Sequence, residues 1–179
     1  MSKHFLEIQK GDFIASEKNK VNDVNLIIEE QGQIISLLGP SGIGKTTILR
    51  TLAGLQKLNS GKIFLKGKLI ASSKVHIEPE KRNIALSFQD NSLFPNYKVI
   101  ENINFGKKRS NGNGFSLETR EIIELLHIDP ILDKFPHQIS AGEAQRVSIA
   151  RSLISKPDLL LLDEPFSNID QSLKEEIQV

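Results

Sequence analysis

Apolar residues recur along this chain in two rhythms, one of strands and one of helices. Phe5, Leu6 and Ile8, and then Val24, Leu26 and Ile28 set against Asn25 and Ile27, flank a polar stretch at 16–20. This opening predicts strands of an antiparallel sheet, and Glu29, Glu30, Gln31 and Gly32 predict a turn. Ile34, Ile35, Leu37 and Leu38 form a short apolar run that predicts a buried parallel strand. Ile48, Leu49, Leu52 and Leu55 follow at helical spacing, with Gly54 near the helix end. Residues 63–65 and 69–70 read as short strands of a hairpin around Lys66, Gly67 and Lys68, and 84–88 as another buried strand.

Beyond Phe88 the helical rhythm takes over. Residues 99–105 and 117–128 predict helices split by a loop at 110–114. Ser116 is the expected N-cap of the second, and Asp129-Pro130 its stop. A longer helix is predicted from Ser140 to about Ser155, burying Val147, Ala150, Leu153 and Ile154, with Lys156-Pro157-Asp158 as its stop. Leu159, Leu160, Leu161 and Leu162 form an apolar strand ending in Asp163-Glu164-Pro165, and one more helix begins after Asp170. Strands alternating with helices predict an α/β fold, with a helical insertion from Asp90 to about Gln138.

Composition narrows the reading. The chain has 179 residues, enough for one core or a core with an appended lobe. A net charge of +1 gives no bulk field that would favour nucleic acid. The absence of cysteine excludes disulfides and a thiol nucleophile. The first residues lack the apolar core of a signal peptide, and no apolar run approaches a membrane span. The expectation is a soluble protein whose membrane role, if any, comes through a partner.

The chemistry is concentrated in two places. Gly39, Pro40, Ser41, Gly42, Ile43, Gly44, Lys45 and Thr46 match the phosphate-binding pattern G-x-x-x-x-G-K-T, and Thr47 follows. The glycines allow the backbone N–H groups to wrap a phosphate at the positive end of the following helix. Lys45 is expected at the β- and γ-phosphates, the Thr46 hydroxyl on Mg²⁺, and Thr47 at the α-phosphate. In the second place, Asp163 is a candidate Mg²⁺ ligand, and Glu164 the candidate that orients or deprotonates an attacking water. By itself, Asp163-Glu164-Pro165 also reads as a polar turn after a strand. Ser140 and Glu143 fit a capping box, S-x-x-E. A capped helix start with Ser140 and Gly142 is also an anion site, provided Glu143 turns back towards Ser140.

Together these residues resemble the ATP-binding subunit of ATP-binding-cassette (ABC) transporters, over about residues 5–179. The resemblance rests on the phosphate loop at 39–47, the Q-loop at Phe88-Gln89-Asp90 and the signature at Ile139, Ser140, Ala141, Gly142 and Glu143, followed by Gln145-Arg146. It also rests on the Walker B strand ending at Asp163 and Glu164, and the D-loop at 167–170. The fold implied is a P-loop NTPase of ABC-ATPase type, with a mixed core sheet, an N-terminal antiparallel β-subdomain and an inserted α-helical subdomain. That makes 1–179 a single ABC ATPase domain, with core and β-subdomain at 1–89 and 139–179 and the helical subdomain at 90–138.

The resemblance further implies ATP and Mg²⁺, with Thr46, Gln89 and Asp163 towards the metal and Glu164 and Gln89 as catalytic residues. Ser140, Gly142 and Glu143 would meet the nucleotide of a second ATPase subunit in trans, and Asp170 would link the two sites of the homodimer. Transmembrane permease subunits are the direct partners implied, a periplasmic solute-binding protein an indirect one, and nucleic acid none. The location implied is peripheral, on the cytoplasmic face of the inner membrane. Arg82, the Phe88-to-Pro95 run, the Glu101-to-Gly106 run and the Asp163-to-Asn168 run look most like ferric-iron import ATPases, ahead of sulfate, polyamine, thiamine and sugar importers.

The sequence departs from that pattern in three respects. Ala141 and Glu143 stand where the signature usually has glycine and glutamine. No aromatic residue lies at 15–19, where one usually stacks on adenine; Phe13 is nearby and reads equally as a core residue. His4, His76, His127 and His137 are the only histidines, so none follows Walker B as a switch histidine. The expectation is therefore a domain incomplete at its C-terminus, lacking a strand beside that of the phosphate loop. The rival readings are a hydrolysis-deficient remnant that still binds nucleotide, and a non-transport ABC ATPase.

Overall fold

The computed structural model describes residues 4–14, 20–88, 93–108 and 117–165. The chain divides into two compact units, Met1–Ile84 and Ala85–Val179.

The first unit is built on four antiparallel strands in the order β2-β1-β3-β4: β1 (Leu6–Ile14), β2 (Lys20–Ile28), β3 (Ser60–Leu65) and β4 (Lys68–Ser72). Leu6 and Ile8 face inward on alternate positions of β1. The register then slips between Ile8 and Gly11, where Lys10 has φ 48°. This bulge restores the inward phase, so Phe13 is buried again. Lys66 and Gly67, with φ 49° and 75°, form the two-residue turn between β3 and β4. Two positive φ values match the right-handed twist of a hairpin. Helix α1 (Lys45–Ala53) contacts β1 and contributes Leu49, Leu52 and Ala53 to the buried set with Leu6, Ile8, Phe13, Ile63 and Ile70. Each such large side chain contributes about 1.5–3 kcal/mol on burial. The Asp12 carboxylate accepts from Ser60 Oγ at 2.5 Å and from the Asp23 N–H at 2.9 Å, which staples β1 to its two neighbours.

The strand expected at 34–38 does not form. Residues 33–40 have no regular secondary structure, and Ile34 and Leu38 are 96% and 92% exposed. Apolar content favours a strand only where other segments complete its hydrogen-bond ladder. Among the described residues this run is paired with none.

In the second unit, β5 (Ile84–Ser87), which starts at the boundary, pairs with β6 (Leu159–Leu162). Ser87 and Leu161 are buried and the other six residues of the pair are half-buried, which is less burial than two apolar strands predict. Between them lie α2 (Val99–Lys108), α3 (Thr119–Leu125) and α4 (Ala141–Ile154). Val99, Ile103, Ile122, Ile123, Ile128, Val147, Ala150 and Ile154 form one buried cluster. Helices α2 and α4 approach closely at Gly106, where a Cβ would stand 2.3 Å from the Arg151 carbonyl oxygen. Asn102, fully buried on α2, accepts from the Phe94 N–H at 2.8 Å and donates to the Phe94, Tyr97 and Lys98 carbonyls. Helix α3 is shorter than the predicted 117–128, and its N-cap is Glu118, in a capping box with Glu121. Ser116, the predicted N-cap, lies outside the described residues. The turn after Leu125 follows from His127, whose φ of 51° no helix can continue. Among the described residues no helix is long and apolar enough to cross a membrane.

Candidate nucleotide site

The loop at 39–47 belongs to the first unit. Gly44, at φ 109° and ψ 12°, is the N-cap of α1, and a Cβ there would meet Val21 Cγ2 at 2.4 Å. Only glycine combines that backbone angle with that approach. The Lys45 ammonium donates to the Gly39 carbonyl at 2.8 Å and to the Pro40 carbonyl at 3.0 Å, so the cation is drawn back over the loop. A fixed positive charge and the positive end of α1 therefore stand at one loop. Gly39, Pro40, Ser41 and Gly42 are exposed, Thr46 is half-buried and Thr47 is buried. The Thr47 carbonyl accepts from Thr51 Oγ1 at 2.9 Å.

The other end of α1 is held by a residue whose role the motifs do not show. Arg82 Nη1 donates to the carbonyls of Thr51 at 2.7 Å and Leu52 at 2.9 Å, and Nε donates to Ile77 at 2.6 Å. The guanidinium caps the negative end of the helix that carries the phosphate loop. Burial lowers the Arg82 pKa, but an arginine stays charged there. Outside the resemblance the only trace in the sequence is a charged residue two positions before an apolar strand, where charge is normally solvated.

Ser140, Gly142 and Glu143 lie at the start of α4 in the second unit. Ser140 is the N-cap, and its Oγ accepts from the Glu143 N–H at 3.2 Å. The Glu143 carboxylate accepts from the Ser140 N–H at 2.7 Å. It is thereby turned back from the helix mouth, the condition under which cap and anion site coexist. That N–H holds the Glu143 carboxyl below its ordinary value, with smaller help from the Ser140 side chain and from Lys134 and Arg146.

Asp163 and Glu164 end β6 in the same unit. Asp163 is buried and its N–H donates to the Ser87 carbonyl at 3.1 Å. Glu164 is exposed and has φ 49°, a left-handed angle rare for a side chain of its size. Helix α4 grips this turn on both sides. Gln145 Nε2 donates to the Pro165 carbonyl, and Ser148 Oγ lies 3.1 Å from Ser87 Oγ. Polar residues at the buried positions 145 and 148, across the helix from the apolar pair Val147 and Ala150, were the overlooked signal.

Gln89 and Asp170 lie outside the described residues. Phe13 is fully buried in the first unit, which assigns it to the core and removes it as an adenine platform. The described residues hold no cluster of three or more carboxylates, histidines or cysteines. Mg²⁺ needs no such cage, since it binds through one or two protein oxygens together with phosphate oxygens and water. The Thr46 hydroxyl and Asp163 carboxylate are donors of that kind.

The profile of the ABC transporter family matches residues 21–167. The chain is 39% identical over 165 residues to the Fe(3+) ions import ATP-binding protein FbpC of Haemophilus influenzae, covering 91% of this chain and 47% of that protein. It is 42% identical over 171 residues to the spermidine/putrescine import ATP-binding protein PotA of Chromobacterium violaceum, covering 94% and 45%. The chain thus spans about half the length of the curated relatives it matches. The ATP-binding cassette MJ0796, in a dimeric post-hydrolysis state bound to ADP and Pi, superposes with a TM-score of 0.75 at 26% identity, over 96% of this chain and 79% of that one. The fold is that of a P-loop ATPase of the ATP-binding-cassette type, and the chain belongs to the ABC transporter family.

Proposed function

We propose that this chain is the ATP-binding and ATP-hydrolysing subunit of an ABC importer. The observation that carries the proposal is the placement of Lys45, held at 2.8 and 3.0 Å over the loop carbonyls at the N-terminus of α1. Anion recognition is built into that backbone before any ligand arrives. Gly39, Pro40, Ser41, Gly42, Ile43, Gly44, Lys45, Thr46 and Thr47 bind the triphosphate. Thr46, Gln89 and Asp163 hold Mg²⁺, which when bound neutralises charge on the β- and γ-phosphates. Glu164 orients or deprotonates the attacking water, with Gln89 beside it.

The signature acts on a second subunit. With Glu143 turned back, the Ser140 hydroxyl proton and the Gly142 N–H serve a γ-phosphate bound to the partner's loop. Asp170 links the two sites, and the helical segment at 90–138 carries the closed state to the permease. The subunit works peripherally, on the cytoplasmic face of the inner membrane, and a solute-binding protein is coupled only through the permease. Ferric iron is the solute proposed, supported by the iron-import relative; the polyamine-import relative makes polyamines the alternative. Glu164→Gln with MgATP is expected to give a dimer by light scattering that dissociates when ADP replaces ATP. A monomer under both conditions would overturn the trans arrangement.

A second reading has its own support. The exposed, irregular run at 34–38 leads directly into the phosphate loop. A loop launched from an unpaired segment is less preorganised, which favours nucleotide binding over turnover.

A further inference from the structure

We infer that Gln145 is a positioning residue that ties the signature end of α4 to the catalytic carboxylate of its own chain. The inference rests on the reading of Glu164 and Ser140 just proposed. Gln145 is buried, and its side-chain amide donates to the carbonyl of Pro165, the residue directly after Glu164. The left-handed φ of 49° at Glu164 persists only if its surroundings hold it. They do so from both sides. Gln145 holds the peptide after Glu164. Ser148, one turn further along the same face of α4, meets Ser87, whose carbonyl in turn holds the N–H of Asp163.

The geometry has a consequence for a dimer. Gln145 lies one turn from Gly142 on a continuous helix. Ser140 and Gly142 serve the partner's nucleotide, whereas Glu164 serves the nucleotide of its own chain. A tilt of α4 on engaging the partner's phosphate therefore moves the Pro165 carbonyl and, with it, Glu164. Gln145 joins one composite site to the other.

A plainer role, filling a buried space, predicts something different. Gln145 Oε1 is buried and has no hydrogen-bond partner among the described residues. For stability alone, methionine would serve as well or better, because an unpaired buried acceptor is costly. Gln145→Met removes that acceptor together with the donor to the half-buried Pro165 carbonyl, which water can pair instead, so it is expected to change the melting temperature little and to leave the KM for ATP unchanged. Its kcat is expected to fall on the order of tenfold to a hundredfold, the penalty of a misplaced catalytic group. In a Glu164→Gln background the same substitution should cost little more, since both act on one step. Independently of turnover, ¹⁵N NMR of the unsubstituted chain should show the Gln145 side-chain amide protected from exchange with water. A Gln145→Met protein with native kcat, or a freely exchanging Gln145 amide, would overturn the inference. An unsubstituted chain without ATP hydrolysis would overturn the functional reading beneath it, while the amide protection still decides whether the link exists.

Discussion

Glu143 shows how far one side chain can be read. Its spacing from Ser140 identified a capping box, and its departure from the usual glutamine left open whether a carboxylate would face the phosphate. The geometry answers that, because the carboxylate is spent on the Ser140 N–H at 2.7 Å. That hydrogen bond lowers the Glu143 pKa from its ordinary 4.5. A folded-state value below the unfolded one means the contribution is present above about pH 4.5 and is lost as pH falls through the folded value. Glutamine can make the same box without titrating. Glu143→Gln should therefore change stability near neutral pH by less than about 0.5 kcal/mol and flatten the acid limb of a urea-melt series. An acid limb as steep as in the unsubstituted protein would assign that pH dependence to other carboxylates, Asp12 among them, whose pKa is lowered chiefly by Ser60.

Elements were legible where their signals were local. The phosphate loop, the hairpin turn at Lys66 and Gly67, the cap at Ser140 and the stop after Ile154 are each specified by a few adjacent residues, and each formed. The run at 34–38 was misread because a strand's backbone partners lie elsewhere in the chain, and no local pattern reports them. Arg82 was legible only as part of a resemblance, since its partners, the carbonyls of Thr51, Leu52 and Ile77, are backbone groups. Arg82→Met would leave these carbonyls without their donor. By chemical denaturation it should cost about 3 kcal/mol, the scale of removing one partner from a buried polar group of several bonds. Arg82→Lys should recover little of this, because one ammonium cannot reproduce a planar fork. A loss below about 1 kcal/mol for both variants would show that water replaces the guanidinium at the end of α1.

For the whole molecule, family membership was legible because the motifs stand in a fixed order, an order that composition and charge do not reveal. The two units divide the chemistry. The phosphate loop and its Arg82-capped helix belong to the first. The signature helix, with Gln145 and Ser148 fastened to the Asp163–Glu164 turn, belongs to the second. The proposed activity draws on residues of both units and, in the proposed dimer, of two chains. The most direct test is steady-state hydrolysis of MgATP by the unsubstituted chain beside Lys45→Ala and Glu164→Gln, with nucleotide binding measured on all three. The account predicts turnover that both substitutions abolish, with binding lost in Lys45→Ala and kept in Glu164→Gln. Nucleotide binding without turnover in the unsubstituted chain would contradict the proposed ATPase and establish the nucleotide-binding remnant in its place.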